Sequence, residues 1–451
     1  MEDVRILRLC SLYEIDKRSK EMKHKIKKEY SLRDFYLLWS TQSLSQLGSA
    51  ITAFALTLWL YEKTGSALST AGLRICTYVP YIVMSIFAGA LSDKFGKKKT
   101  MLVCDLLAAV STIAVFILYK TDTLDVWHLY LINAISGLMN TVQQPASEVA
   151  YTLITPKEYY QKTSALQSLS RSLVTIGNPV IASALYGLAG LDAAIAVDMF
   201  TFAVAFLTLS SLVRIPEPES RQNETQGVLQ LAKEGIQYLK SNPLILYVIL
   251  FMAGVNLIAS AFDAVLPAFI IPNPRGGNYV LGIVTSFSGI AMVVGSLFAT
   301  VMGKPKDRVK VIYLSMLFSL ATENYLLAFS RSPVLWGIGQ FLGWVFVPVM
   351  STNQNVIMRN TIPERLMGRV YACRNTLQFF TIPIGLTLGG FMVDNVCEPF
   401  MRDSNSEVLR SLFGSGKGSG AALMLFILGL AGTTMCLVFG NKLKQYKYSE
   451  D

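Results

Sequence analysis

Eight ionisable side chains stand inside long apolar runs of this 451-residue sequence: Arg74, Asp105, Glu148, Arg171, Asp198, Asp263, Glu323 and Arg374. A charge at the centre of a lipid bilayer costs roughly 2.5–3.5 kcal/mol on insertion scales, so each needs a partner or a task. A carboxyl in low-dielectric surroundings keeps its proton to higher pH and can bind and release it near neutrality. The chemistry on offer is therefore proton exchange and ion pairing at membrane depth. The two histidines, His24 and His128, cannot build a histidine metal cluster, and zinc enzymes of the His-Glu-x-x-His kind are excluded. The stretch from Gly414 to Gly418 lacks the Ser/Thr that must follow Lys417 in a phosphate-binding loop. No metal, cofactor or enzymatic activity is expected.

The elements that must carry these groups are membrane spans. Hydrophobic residues make up 52% of the chain and charged residues 16%, with mean hydropathy +0.43, too apolar for a soluble domain. Apolar runs fall at about 35–60, 68–91, 100–119, 127–153, 165–188 and 192–212, then at about 243–270, 280–302, 311–330, 334–358, 368–393 and 420–440. Each has roughly the twenty residues that a helix needs to cross a hydrocarbon core. The chain reads as an N-terminal tail (1–34), a first bundle (35–212), a linker (213–242), a second bundle (243–440) and a C-terminal tail (441–451). Pro216 and Pro218 open the linker. Val228, Leu231, Ala232, Ile236 and Leu239 then recur at helical spacing, which fits a helix on the membrane surface.

Net charge is +10, but the basic residues sit in loops beside spans, which fits topology and anionic lipid rather than nucleic acid. Lys94–Lys99, Lys157/Lys162, Lys304/Lys306/Arg308 and Arg365/Arg369 share one side with Lys442, Lys444 and Lys447. By the positive-inside rule that side, with both termini, is cytoplasmic, in a multi-pass protein of the cell membrane. The polar N-terminus shows no cleavable signal peptide. Met22 offers an alternative start. Six cysteines are scattered, and only Cys397 is expected in an outer loop, so no structural disulfide is expected.

The first cytoplasmic loop runs Gly89-Ala-Leu-Ser-Asp93-Lys94-Phe-Gly96-Lys97-Lys98-Lys99, a glycine-bounded basic hairpin between two spans. Its pattern Gly-x-Leu-Ser-Asp-Lys-x-Gly-Lys-Lys resembles the loop between helices two and three of the major facilitator superfamily. The second half of the chain repeats the first. Gly96-Lys97 and Gly303-Lys304, Pro156 and Pro363, and Ala165 and Ala372 are each separated by 207 residues. Parallel duplication of six spans is the arrangement found in that superfamily. The resemblance implies an all-α membrane protein of about twelve transmembrane helices in two pseudo-symmetric six-helix bundles, the major facilitator fold. Within the superfamily the chain looks closest to macrolide-efflux proteins and enterobactin exporters. Gly177-Asn178-Pro179 and Gly187 partly match the antiporter motif of span five. Asn178 interrupts that motif, and Ala182-Ser183 stand where glycines would be. Asn133 to Gly137 stand where many drug antiporters carry a span-four arginine.

In that architecture spans one, two, four and five of each half line the cavity or its gates, and spans three and six are peripheral. Asp105, Asp198 and Glu323 fall on peripheral spans and are expected to pack or cap. Asp263 and Glu148 are the better candidates to carry a proton. Arg74 lies about six residues inside the outer end of span two, and Asp263 about seven inside the outer end of span seven. Both are then ~10 Å deep and able to pair when the outer side closes; a fixed ion pair between two helices is the alternative. Gln42, Gln46, Asn140, Gln143, Asn178, Asn256, Asn353 and Gln378, with Trp39, Trp344 and Phe379, are candidates to line an amphipathic pocket. Some of these polar groups are expected only to bond neighbouring helices, for about 0.6 kcal/mol each.

Gly89, Asp93, Lys94, Gly96, Lys97 and Lys98 are expected to form a conformational latch, with Asp93 against the cytoplasmic end of span eleven near Gly368 and Arg369. The function implied is secondary active export of an amphipathic small molecule (a drug, a macrolide-like compound or a siderophore) by alternating access, coupled to inward proton movement. An importer or symporter of the same fold for a small metabolite is the first rival and a membrane sensor or enzyme the second, and direction is not legible in these residues. The expected partners are a small-molecule substrate, protons and membrane lipid. A monomer is compatible with this reading, and the oligomeric state is left open.

Overall fold

Gly190 settles the count of crossings. In the computed structural model the backbone is described for residues 2–94, 96–156, 159–216, 228–303, 305–443 and 445. Side chains are described from Leu32 onward in those ranges, outside 85–94, 145, 160–162, 164–165, 168, 228–233, 300, 359, 364–365, 367–369 and 372. Among the described residues 10 segments are long and apolar enough to cross a membrane. One, Leu169–Leu212, has 44 residues, about twice the length a bilayer core requires. It breaks at Gly190, whose φ of 71° and ψ of −165° suit glycine and strain other residues. That segment is two crossings. Helix α4, Val126–Ile154, has 29 residues and is long enough to be another; its row of Gln, Asn and Glu dilutes its hydropathy. Among the described residues the total is twelve.

In chain order the helices are α1 (Glu2–Thr64), α2 (Ala67–Lys94), α3 (Lys97–Lys120), α4, α5 (Tyr160–Leu207), α6 (Val228–Ser241), α7 (Pro243–Ile270) and α8 (Asn278–Val301). Then come α9 (Arg308–Phe329), α10 (Pro333–Val345), α11 (Val347–Thr361), α12 (Glu364–Phe379), α13 (Thr381–Met392), α14 (Glu398–Asp403), α15 (Glu407–Phe413) and α16 (Ser419–Leu443). The apolar part of α1 begins at Leu32. Asp125 caps α4 in a reciprocal box with His128, and Asp307 caps α9 by accepting from Lys310 N at 2.9 Å, which fixes both starts.

Two bundles result. In the first, α1 packs on α5, α2 on α4, and α3 on both α4 and α5; in the second, α7 packs on α13 and α16, and α9 on α10, α11 and α16. The bundles meet along α5–α8 and α2–α13. Small residues permit those approaches: a Cβ on Gly289 would stand 2.9 Å from Ile176 N, and one on Gly390 2.7 Å from Leu68 Cα. Internal symmetry is direct. Shifted by 207 residues, Val126–Ile154 falls on 333–361, the outer limits of the α10–α11 pair.

Two expectations change. The tenth and eleventh spans stay continuous as candidate crossings, Pro333–Met358 and Cys373–Asp403, with only a local turn at Phe346 and Phe380, ahead of Pro348 and Pro383, where the backbone dihedrals remain right-handed helical. Proline has no N–H to continue the helical ladder and crowds the preceding turn. Cys397 is not in an outer loop: it ends a widened helical turn, Val393–Cys397, and is 2% exposed. The linker helix α6 does not only follow the membrane surface. It packs on α12 through Leu239, buried with Ile245, Ile249, Met358 and Val370. Tyr238 of α6 donates to Thr361 O at 2.8 Å, and burial pushes its hydroxyl above the ordinary value.

Candidate functional site

A row of polar side chains on α1 and another on α4 face each other inside the first bundle. Trp39, Gln42, Gln46 and Ser49 recur every three or four residues on α1, as do Asn140, Gln143, Gln144, Ser147, Glu148 and Tyr151 on α4, so each row lies on one helix face. With Tyr78 and Tyr81 of α2, Asp105 of α3, and Ser170 and Arg171 of α5, they line a cavity of about 670 Å³. Neighbouring bonds set the walls. Trp39 Nε1 donates to Leu166 O at 3.2 Å, Ser43 to Ser170 at 2.9 Å and Tyr81 to Gln144 Oε1 at 3.3 Å.

The structure brings together Trp39, Gln42, Gln46, Asn140, Gln143 and Glu148 from the sequence candidates. Glu148 and Arg171 are both exposed on the wall.

Asp105 corrects the sequence reading. Expected to be a packing group on a peripheral span, it lines the cavity and is 8% exposed. Gln42 Nε2 donates to its Oδ2 at 3.0 Å and Gln143 Nε2 to its Oδ1 at 2.5 Å. The sequence offers both glutamines as candidates to line a pocket or to bond a neighbouring helix, and toward Asp105 they do the second. Asp198 does behave as a packing group, accepting from Ser49 at 2.8 Å and Thr112 at 3.2 Å. Glu323 is buried in the second bundle, and its Oε1 has no hydrogen-bond partner among the described residues.

The remaining pocket candidates lie elsewhere. Asn353 is fully buried; its Oδ1 accepts from Arg308 at 3.0 Å and its Nδ2 donates to Val349 O, so it ties α9 to α11. Asn256 Nδ2 donates to Gln378 O at 2.9 Å, joining α7 to α12. Asn178 precedes Pro179, whose carbonyl lies where α8 crosses at Gly282, and its Oδ1 is buried without a partner among the described residues. Asn353, Asn256, Gln378, Asn178 and Trp344 are absent from the wall of this cavity.

The bundles close on each other at the end remote from α6. Arg74 Nη1 meets Asp263 Oδ2 at 2.6 Å. Asp394, after α13, accepts from Ser66 Oγ at 2.6 Å, Ala67 N at 3.1 Å and Leu68 N at 3.0 Å, and so caps α2 from the opposite bundle. Glu62 of α1 accepts from Asn278 of α8 at 2.5 Å and from Tyr186 of α5 at 2.6 Å. Nothing in the sequence around Asp394 names a helix 327 residues away. A second cavity, of about 960 Å³, lies at this end and is lined by Glu62, Asp394, Glu398, Arg402, Arg410 and Lys417 among others.

At the α6 end, Gly96 precedes α3, Lys97 is buried, and Lys98 Nζ donates to Ser210 O at 3.0 Å and Val213 O at 2.7 Å. The side chains of Asp93 and Lys94, like Gly89, Gly368 and Arg369, lie outside the described residues.

Comparison with known proteins gives one consistent picture. The family model of the Major Facilitator Superfamily matches residues 38–386. Macrolide efflux protein A of Streptococcus pyogenes is 26% identical over 365 residues, covering 80% of this chain and 90% of its own. Multidrug efflux pump Tap of Mycolicibacterium fortuitum is 24% identical over 358 residues, covering 77% and 86%. Among solved structures, a bacterial homolog of the human lysosomal transporter Spinster, inward-facing and unoccupied, superposes with TM-score 0.69 at 12% identity, over 94% of this chain and 99% of that one. A bacterial homologue of the iron transporter ferroportin, inward-facing, gives 0.68 at 13%, over 92% and 99%.

Proposed function

The chain belongs to the Major Facilitator Superfamily, and on that premise we propose that this multi-pass membrane transporter exports an amphipathic small molecule in exchange for protons. The observation that carries the reading is the cavity of the first bundle. Trp39, Tyr78, Tyr81 and Tyr151 supply apolar and π surface, while Gln46, Asn140 and Gln144 supply neutral hydrogen-bonding groups among few charges. Such a wall suits a large, mostly uncharged molecule with scattered polar groups. Relatives named for macrolide and multidrug efflux favour export of a compound of that kind, a macrolide, another drug or a siderophore.

Lysine placement supports an orientation with the α6 end and both termini in the cytoplasm. On that orientation the contacts at Arg74–Asp263, Asp394 and Glu62 are an outer gate, closed here, and the first cavity serves the cytoplasmic side. Residues 35–212 and 243–440 rock as two bodies about the substrate, joined by 213–242. Opening the outer gate requires Asp394 to release α2 and Asp263 to release Arg74. Closing the cytoplasmic side engages the loop Gly89, Asp93, Lys94, Gly96, Lys97 and Lys98 as a latch. Glu148 stands on the cavity wall, open to water while that side is open. One charge crossing ~100 mV releases ~2.3 kcal/mol, enough for a roughly fifty-fold gradient.

Everted membrane vesicles test this. With the lumen acidified, labelled erythromycin, ethidium or a catecholate siderophore should accumulate in vesicles carrying the protein, and a protonophore should abolish the accumulation. Uptake into right-side-out vesicles, with none into everted ones, would instead identify an importer.

A further inference from the structure

We propose that Asp105, held between Gln42 and Gln143, is the exchangeable proton site of the cavity. The inference rests on the proton-coupled reading above and names the group that carries the proton.

The first argument is internal to the chain. Shifted by 207 residues, Gln42, Asp105 and Gln143 fall on Ile249, Ile312 and Met350. Those three are 0%, 0% and 4% exposed, packed in the core of the second bundle. The repeated fold thus fills the same three helix positions with aliphatic side chains in its other copy. The polar trio is not what this helix arrangement requires for packing, and an acid at membrane depth is otherwise costly.

The second argument is the chemistry of the donors. Both carboxylate oxygens accept an amide N–H, at 3.0 Å and 2.5 Å, and among the described residues no cation forms an ion pair with Asp105. A glutamine amide carries donors on one end and an acceptor on the other. When a proton adds to Oδ1 and forms an O–H bond, the facing amide turns over and its Oε1 accepts that hydrogen. Release reverses both moves. Either charge state is therefore fully hydrogen-bonded, which an arginine partner cannot offer. Asp263 lacks this freedom while paired with Arg74.

The third argument is access. Asp105 borders the cavity, whereas Asp198, also held by neutral partners, is not on its wall. The charged and titratable groups around the cavity that share its field are Glu148 and Tyr151 on α4, Arg171 on α5, Tyr78 and Tyr81 on α2, with Cys104 beside it on α3.

Infrared difference spectra of the purified protein, taken between acid and alkaline pH, need no substrate. A protonated-carboxyl C=O band should vanish as pH rises, be absent in Asp105→Asn, return shifted in Asp105→Glu, and persist in Asp198→Asn. A band unchanged in Asp105→Asn overturns the proposal. Should Asp105→Asn fail to fold, carbodiimide labelling of the wild type decides: the Asp105 peptide should be modified faster at acid pH, and its absence among the adducts overturns the proposal. In everted vesicles Asp105→Asn should lower pH-driven erythromycin accumulation at least tenfold, and accumulation at the wild-type level overturns the proposal. Wild-type vesicles indifferent to the pH gradient would instead defeat proton-coupled export, with the infrared titration of Asp105 still read on its own.

Discussion

Arg74 Nη1 and Asp263 Oδ2 lie 2.6 Å apart, one on each bundle, at the end remote from the linker. Their side chains remain 48% and 36% exposed, so the pair is worth little more than a surface ion pair, about 1 kcal/mol. That still moves a two-state equilibrium roughly fivefold. Asp263→Asn should shift the protein toward the outward-open state by that factor. Spin labels at Thr123→Cys and Tyr279→Cys, on opposite bundles, should report longer distances by pulsed electron resonance. The charge exchange Arg74→Asp with Asp263→Arg should restore the wild-type distribution. An unchanged distribution in the single mutant would leave the pair without a gating role.

Asp394 should matter more. Its carboxylate takes three hydrogen bonds at the start of α2, from Ser66 just before the helix at 2.6 Å and from Ala67 and Leu68 N at 3.1 and 3.0 Å. Loss of an N-cap costs ~1–2 kcal/mol, and here the cap also bridges the bundles. Asp394→Ala should therefore open the outer end about tenfold more than Asp394→Asn, which keeps one acceptor oxygen. The same spin-label pair measures both, and equal distributions in the two variants would show that the cap does not hold the gate.

The fold was legible because bilayer length and a 207-residue repeat are both written in one dimension. Even the break at Gly190 falls in the gap between the fifth and sixth apolar runs. The site was legible only in part. The α1 and α4 residues of the cavity share a helical spacing that a sequence displays, but Asp105 was sorted by the usual position of its span. Its contacts to Gln42 and Gln143, 63 and 38 residues away, follow from side-chain reach across helices. Asn353 illustrates the converse. A polar residue on a cavity-type span turned out to serve Arg308, because its helix face points into the bundle.

The two ends of the loop between α2 and α3 should separate in their effects. Lys98 binds the carbonyls of Ser210 and Val213 at 3.0 and 2.7 Å, a cation at a helix C-terminus, where such contacts contribute about 0.3–1 kcal/mol. Lys98→Met should act first on stability, lowering the melting temperature of the detergent-purified protein more than it lowers transport per folded molecule. Asp93→Asn, at the proposed latch, should do the opposite: normal melting and impaired efflux. Equal loss of stability in both would remove the latch.

Two glycines on the bundle surfaces should respond in opposite ways to the same added methyl group. Gly390 of α13 lies against α2, and a Cβ there would stand 2.7 Å from Leu68 Cα and 2.9 Å from Leu68 N, backbone that cannot swing aside. Closing the outer end over such a contact costs ~1–3 kcal/mol by overpacking, so Gly390→Ala should hold the bundles apart and slow transport roughly tenfold. Gly187 of α5 has open space where a Cβ would be. Gly187→Ala should leave transport unchanged and, by the higher helix propensity of alanine, raise stability slightly. Since the proposed opening of the outer side parts Gly390 from α2, the damage should appear in turnover and in the Thr123–Tyr279 distance, with expression and melting temperature preserved. A Gly390→Ala protein that melts early but transports normally per folded molecule would make this contact a matter of assembly and not of gating.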